Sequence, residues 1–177
     1  MGNTSNVLVF KKPSTGCLRF LTRNDTVDEV LTTYRYKTWF NALEWADVNT
    51  IIPNPTKTAD SPARYFGKEN TDQWCYFYEK ADLARQQKKW DEVIDYYNAG
   101  YEMGFKPLNQ FEYLPLLEAY LITGRLEKAM ETAKNIPDFN FETNDAFCKL
   151  WTTIEDTKNN SSKIQSLNQI TQCERIP

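Results

Sequence analysis

The chain is 177 residues long and carries 21 basic against 24 acidic side chains, a net charge of −3; that is one domain with room for a small appendage. Hydrophobic residues at 41% and aromatics at 14% supply a core and exclude wholesale disorder, while the mild acidity argues against a nucleic-acid partner, which calls for a basic face. The absence of histidine removes Ser-His-Asp and Cys-His nucleophile pairs, a histidine general base and most zinc sites, and neither a metal nor any other cofactor is expected.

Met1 and Gly2 run straight into a strand-like segment and read as the start of a piece of a longer protein. No basic stretch followed by an apolar one marks a signal peptide, and no apolar run approaches the roughly 18–20 residues that cross a bilayer, so the chain as it stands is expected to be soluble. Residues 6–22 predict a small hairpin. Val7 to Phe10 and Cys17 to Leu21 are β-prone, and Pro13, Ser14 and Gly16 between them supply turn chemistry. Residues 26–48 predict a helix with Asp28 and Glu29 in its first turn, where the dipole favours negative charge. Pro53, Pro55, Pro62 and Gly67 make residues 49–70 a connection that wraps the surface.

From Thr71 the chain predicts a run of helices over 71–87, 90–104, 109–123, 125–136, 142–157 and 161–174. Lys88-Lys89, Gly104 to Pro107, Gly124 and Pro137-Asp138 mark the breaks, with Gly104 and Gly124 where a left-handed residue closes a helix. Short links make consecutive helices antiparallel hairpins. Pro115 conflicts with a helix that starts at 109: the helix either begins nearer 113 or is kinked. Val93 and Ala129 open the second helix of successive pairs and stand 36 positions apart, with Tyr97 and Ala133 four residues further on the same faces. This spacing is close to the tetratricopeptide period of about 34. The expected fold is mainly α: tetratricopeptide-like antiparallel hairpins in an α-α superhelix with a small N-terminal β-hairpin. Residues 1–70 would form the hairpin, helix and wrap, 71–136 the two helical hairpins, and 137–177 a C-terminal cap that covers the last apolar face.

Three acidic pairs sit at helical spacing, Glu79 with Asp82, Asp91 with Asp95, and Glu127 with Glu131. Such pairs can serve as acid and base in a cleft, but with Lys80, Arg85, Lys128 and Lys134 beside them they read as solvated helix faces. The aromatics crowded between Trp74 and Tyr120 read mainly as inter-helix core. Some can face a groove between helices 71–87 and 109–123, where Tyr76, Glu79, Tyr113, Glu118 and Tyr120 are the expected partner-binding residues. Cys17, Cys75, Cys148 and Cys173 form no C-x-x-C pair; reduced buried thiols and one or two disulfides both remain open.

The run Trp74-Cys75-Tyr76-Phe77-Tyr78-Glu79-Lys80-Ala81-Asp82-Leu83-Ala84-Arg85-Gln86, with Gly16-Cys17-Leu18-Arg19 before it and Leu117-Glu118-Ala119-Tyr120 after it, resembles the C-terminal soluble domain of polytopic bacterial membrane proteins common in Chloroflexota. Their membrane part is similar in plan to glycosyltransferases that use lipid-linked sugars. The resemblance covers about residues 7–136. It implies a domain tethered on the extracytoplasmic face of a bacterial membrane, and it carries no catalytic residue. In that location it also implies a Cys17–Cys75 disulfide stapling the hairpin to the first repeat helix. The expected function is a non-catalytic interaction or scaffold domain that binds a protein or peptide, or supports glycan-related work of the membrane part. The alternatives are a carbohydrate-binding module and a carboxylate-dependent glycoside-active enzyme.

Overall fold

The computed structural model describes residues 7–22, 43–51 and 69–137, together with Cys148 and Leu150. The helix expected over 161–174, nearly all of those over 26–48 and 142–157, and most of the 49–70 connection lie outside the described residues. Within them the protein is mainly helical, with four α-helices and one two-stranded antiparallel sheet.

Strands β1 (Val9–Lys11) and β2 (Arg19–Leu21) pair Val9 with Leu21, Phe10 with Phe20 and Lys11 with Arg19. Val9 and Leu21 pack with Leu43 in a small core of their own. The helix expected to run through residue 48 does not reach it. Leu43 is helical, but the chain then turns, and Val48–Thr50 is a short 3-10 turn. Competing partners end the helix here. The Asp47 N–H donates to the Val7 carbonyl, and the Asp47 carboxylate accepts from the Asn49 N–H. An Asp that satisfies local backbone in this way disfavours helix continuation.

Helix α1 (Trp74–Gln86) buries Trp74, Phe77, Tyr78, Ala81 and Ala84, a stripe at the three-to-four-residue helical spacing. Helix α2 (Trp90–Glu102) carries Asp91 and Glu92 at its positive end and buries Val93, Ile94, Tyr97 and Gly100. A side chain at Gly100 would press on the rings of Trp74 and Phe77, so this glycine sets how closely the end of α2 approaches the start of α1. Trp74 and Tyr101 stack there with ring centroids 5.8 Å apart, which makes the pair antiparallel.

The segment expected as one helix over 109–123 is two elements, a 3-10 turn at Gln110–Tyr113 and helix α3 (Leu114–Ile122). Pro115 therefore lies in the first turn of α3, where its missing N–H costs nothing and its ring meets no preceding helical carbonyl. Asn109 caps the 3-10 turn, its side-chain oxygen accepting from the N–H groups of Phe111 and Glu112. Helix α3 is apolar except for Glu118 and central: Leu114, Leu116, Leu117, Ala119 and Leu121 are all buried. Helix α4 (Leu126–Lys134) closes the stack through Ala129 and Ala133. Arg125, just before α4, reaches Asp91 at the start of α2, 2.9 Å away.

The turns inside the two helical hairpins are built alike at a 36-residue offset. Lys88 N–H donates to Arg85 O and Lys89 N–H to Ala84 O; Gly124 N–H donates to Leu121 O and Arg125 N–H to Tyr120 O. Val93 and Ala129, the matching residues after these turns, are both wholly buried. The turn needs a left-handed residue, which is Gly124 (φ 76°) in the second hairpin and Lys88 (φ 60°) in the first. A β-carbon is strained there. Lys88→Gly is accordingly expected to stabilise the protein by about 0.5–1 kcal/mol and Gly124→Ala to destabilise it by about 1 kcal/mol, read from the midpoints of urea unfolding.

Candidate functional site

Residues 15–20 bend at Thr15 and Gly16, run along α1 into β2, and are held there by side chains from two directions. A disulfide joins Cys17 to Cys75, with their Cα atoms 5.1 Å apart. The Asn109 amide donates to the Thr15 carbonyl at 3.0 Å, and Glu112 accepts from the Cys17 N–H at 2.9 Å. Glu79 accepts from the Leu18 N–H at 3.1 Å, and the Gln86 amide donates to the Phe20 carbonyl at 2.6 Å. The α1 residues that make these contacts, with Asp82 opposite Arg19, are Cys75, Glu79, Asp82 and Gln86. Their steps of four, three and four place them on one face of the helix. Gly16 is required by the fit: its φ is 150°, and an added β-carbon would stand 2.7 Å from the Asn109 amide nitrogen.

Two buried carboxylates anchor the arrangement. Glu112, 2% exposed, accepts from the Cys17 N–H and the Asn109 amide on one oxygen, and from the Trp74 indole N–H and the Leu108 N–H on the other. Asp82 accepts from Arg19, Arg85 and Gln86. Arg85 continues to Glu118 at 3.2 Å, so charges alternate along Arg19, Asp82, Arg85 and Glu118. Glu79 lies at the edge of this layer. Burial raises its carboxyl above the usual range, against the opposing effects of the Leu18 N–H and of Lys12. Burial likewise raises the Tyr78, Tyr97 and Tyr101 hydroxyls, which stay protonated.

The five residues expected to line one groove are dispersed. Glu79 is engaged by the hairpin and Glu118 by Arg85. Tyr120 is buried in the main core. The Tyr76 ring stands edge-on to Phe77, with the Lys80 ammonium 4.5 Å from its centre. Tyr113 is half-buried and lines a separate depression of about 430 Å³ with Tyr101, Phe105, Pro107, Glu131 and Asn135. Residues 15–20 thus cover the face of α1 that turns toward the 3-10 turn, while a polar depression of about 740 Å³ lies between the end of α1 and α3, lined by Arg85, Gln86, Glu118 and Ile122 with Glu44 and Asp47. The reading of Glu79 and Asp82 as a solvated face is corrected, since Asp82 is 1% exposed and paired with two arginines. Asp91 conforms to that reading, with an exposed partner in Arg125.

Sequence reasoning assigned no role to Glu112, Arg19 or Gln86. One signal was present: Asn109 with a glutamate three residues on is the pattern of a capping box. Here Glu112 reaches past the usual donor, the N-cap N–H of Asn109, to accept from the Leu108 N–H. Cys148 is also disulfide-bonded, to a partner outside the described residues. Among the described residues no helix is long and apolar enough to cross a membrane, and no group of three His, Cys, Asp or Glu side chains could hold a metal ion. Comparison with known proteins yields no matching family, no curated relative and no matching solved structure.

Removing the Glu112 carboxylate strands four donors in the interior. Glu112→Ala is expected to cost about 3–5 kcal/mol in denaturant unfolding, well beyond an ordinary surface substitution. Glu79 has a different signature. Because its folded carboxyl holds a proton to higher pH than in the unfolded chain, its stabilising contribution is full below its unfolded pKa of about 4.3 and lost as pH rises through the folded value. Glu79→Gln is expected to flatten the fall in unfolding midpoint from about pH 4 to neutrality; an unchanged slope would exclude Glu79 as its source.

Proposed function

We propose that the chain is a non-catalytic interaction domain, a pair of tetratricopeptide-like hairpins carried by a larger bacterial membrane protein on its extracytoplasmic side, with a protein or peptide as partner. The observation that carries the reading is the grip on residues 15–20. The amide and carboxylate groups of α1 and of the turn before α3 are spent on holding an extended backbone, not on an open reactive cleft. A layer of helices that holds extended chain by its main-chain groups is how helical repeats take peptides. The turn repeated at a 36-residue offset supports the repeat assignment. The disulfide-bonded state of Cys17, Cys75 and Cys148 supports an oxidising compartment.

The depression lined by Tyr101, Phe105, Pro107 and Tyr113 is the surface offered to a partner, its aromatic wall setting it apart from the polar depression between α1 and α3. Exposed Met103 and Leu108 on the same helix end and loop extend its apolar character. A second reading rests on the polar side of that depression. Glu131, Thr132 and Asn135 stand opposite two tyrosines, a combination that also suits a sugar ring, through stacking and hydroxyl hydrogen bonds. The glycoside-cleaving alternative needs two free carboxyl groups in one cleft; Glu79, Asp82, Glu112 and Glu118 are all engaged.

Peptide and glycan arrays probed with the intact protein and with Tyr113→Ala and Tyr76→Ala separate these readings. Peptide binding that falls at least about tenfold in Tyr113→Ala and persists in Tyr76→Ala is the expected result. Glycan binding with the same dependence selects the sugar-binding reading. Binding indifferent to Tyr113→Ala removes this surface from consideration.

A further inference from the structure

The β-hairpin does not seal completely against the helices. A cavity of about 340 Å³ is lined by Lys11, Pro13 and Leu21 from the hairpin, Tyr78 from α1, and Gln110 and Phe111 from the 3-10 turn. That volume is within the range of small-molecule sites. Besides Thr15 and Gln110, the polar side chains in its wall fall into two sets. Asn109, Glu112 and Arg19 are committed to the bonds already described. Tyr78 and Lys11 are not. Tyr78 is only 1% exposed, yet its hydroxyl makes no hydrogen bond among the described residues. Among the described residues the buried side-chain polar atom without a partner is Gln86 Oε1, so the Tyr78 hydroxyl keeps a small accessible area, and on a residue that lines the cavity it is a donor open to an outside acceptor. Lys11 is exposed and has no ion-pair partner among the described residues, which leaves an uncompensated positive charge beside the same cavity.

We propose that this cavity binds a small monocarboxylate with an apolar body, its carboxylate held by the Lys11 ammonium and the Tyr78 hydroxyl and its body set against Pro13, Leu21 and Phe111. The carboxylate of Glu112 in the same wall keeps its negative charge, since its four donors are neutral, but Lys11 and Arg19 line the same cavity and leave its wall net positive. Burial keeps the Tyr78 hydroxyl a donor at neutral pH. Gln110, half-buried at the wall, adds an amide that can serve a substituent on the body. The site is separate from the Tyr101–Tyr113 depression and independent of what binds there.

Benzoate and isovalerate serve as probes, with benzamide as the neutral shape control, titrated into the intact oxidised protein by calorimetry. Saturable one-site binding of at least one carboxylate is expected, with benzamide at least about tenfold weaker than benzoate if benzoate is the binder. Tyr78→Phe and Lys11→Gln should each weaken the bound carboxylate about tenfold or more. Tyr78→Phe deletes a hydroxyl that bonds to nothing in the described protein, and Lys11 is exposed, so both variants are expected to melt with the parent. Absence of saturable binding for both carboxylates overturns the proposal. So does binding that fails to weaken in both variants, or benzamide binding as tight as benzoate.

Discussion

The burial of Asp82 and Glu112 constrains the rest of the structure. A carboxylate taken out of water is tolerated only where donors replace the lost hydration, and these two carboxylates draw their donors from parts of the chain far apart in sequence. Arg19 comes to Asp82 from the hairpin, 63 residues upstream. The Cys17 N–H comes to Glu112 from the same segment, 95 residues away. The hairpin is therefore part of the helical core's electrostatics. Without it, Asp82 keeps Arg85 and Gln86 but loses Arg19, and Glu112 loses one of its four donors. A two-stranded hairpin of this size is marginal alone, and it persists because the helices need its polar backbone as much as it needs their surface.

The disulfide and the hydrogen bonds act on different states of the chain. The Cys17–Cys75 link spans 58 residues and, in the chain-entropy account, acts mainly by narrowing the unfolded ensemble, a contribution of about 2–4 kcal/mol. The clamps from Asn109, Glu112, Glu79 and Gln86 act in the folded state by fixing register. Glu79 to Leu18 and Gln86 to Phe20 advance seven residues along α1 while the segment advances two. Seven helical residues rise about 10 Å and two extended ones about 7 Å, and the long Glu79 and Gln86 side chains take up the difference.

Much of this architecture is written locally and was legible. Helix ends at Gly104 and Gly124, the break at Lys88-Lys89 and the small-residue openings at Val93 and Ala129 depend on nearest-neighbour chemistry and on period, both of which a sequence displays. Pro115 was legible as a conflict, and its resolution through a 3-10 turn capped by Asn109 follows from the same local rules. The covered surface was not legible. Glu79 and Asp82, three apart beside Lys80 and Arg85, look like any solvated face. What distinguishes them is Arg19 and the Leu18 N–H, which only the tertiary fold brings near. Tyr113 and Tyr120 share a helical hairpin and look interchangeable, yet one lines a depression and the other fills the core.

The polar stripe Cys75, Glu79, Asp82 and Gln86 is where sequence and structure meet most directly. A helix whose remaining buried face is Trp, Phe, Tyr and Ala would gain from apolar residues at these four positions if only helices lay against it. Groups that pair with backbone N–H and C=O are useful there only if an extended segment covers them, since an unsatisfied polar group on an inner face is costly. The stripe therefore encodes its own covering strand, and Gly16 completes the code by allowing that strand to come within reach of Asn109. The stripe is thereby spent within the chain, and the interaction surface proposed above, at the end of α2 and along α4, lies beyond its reach.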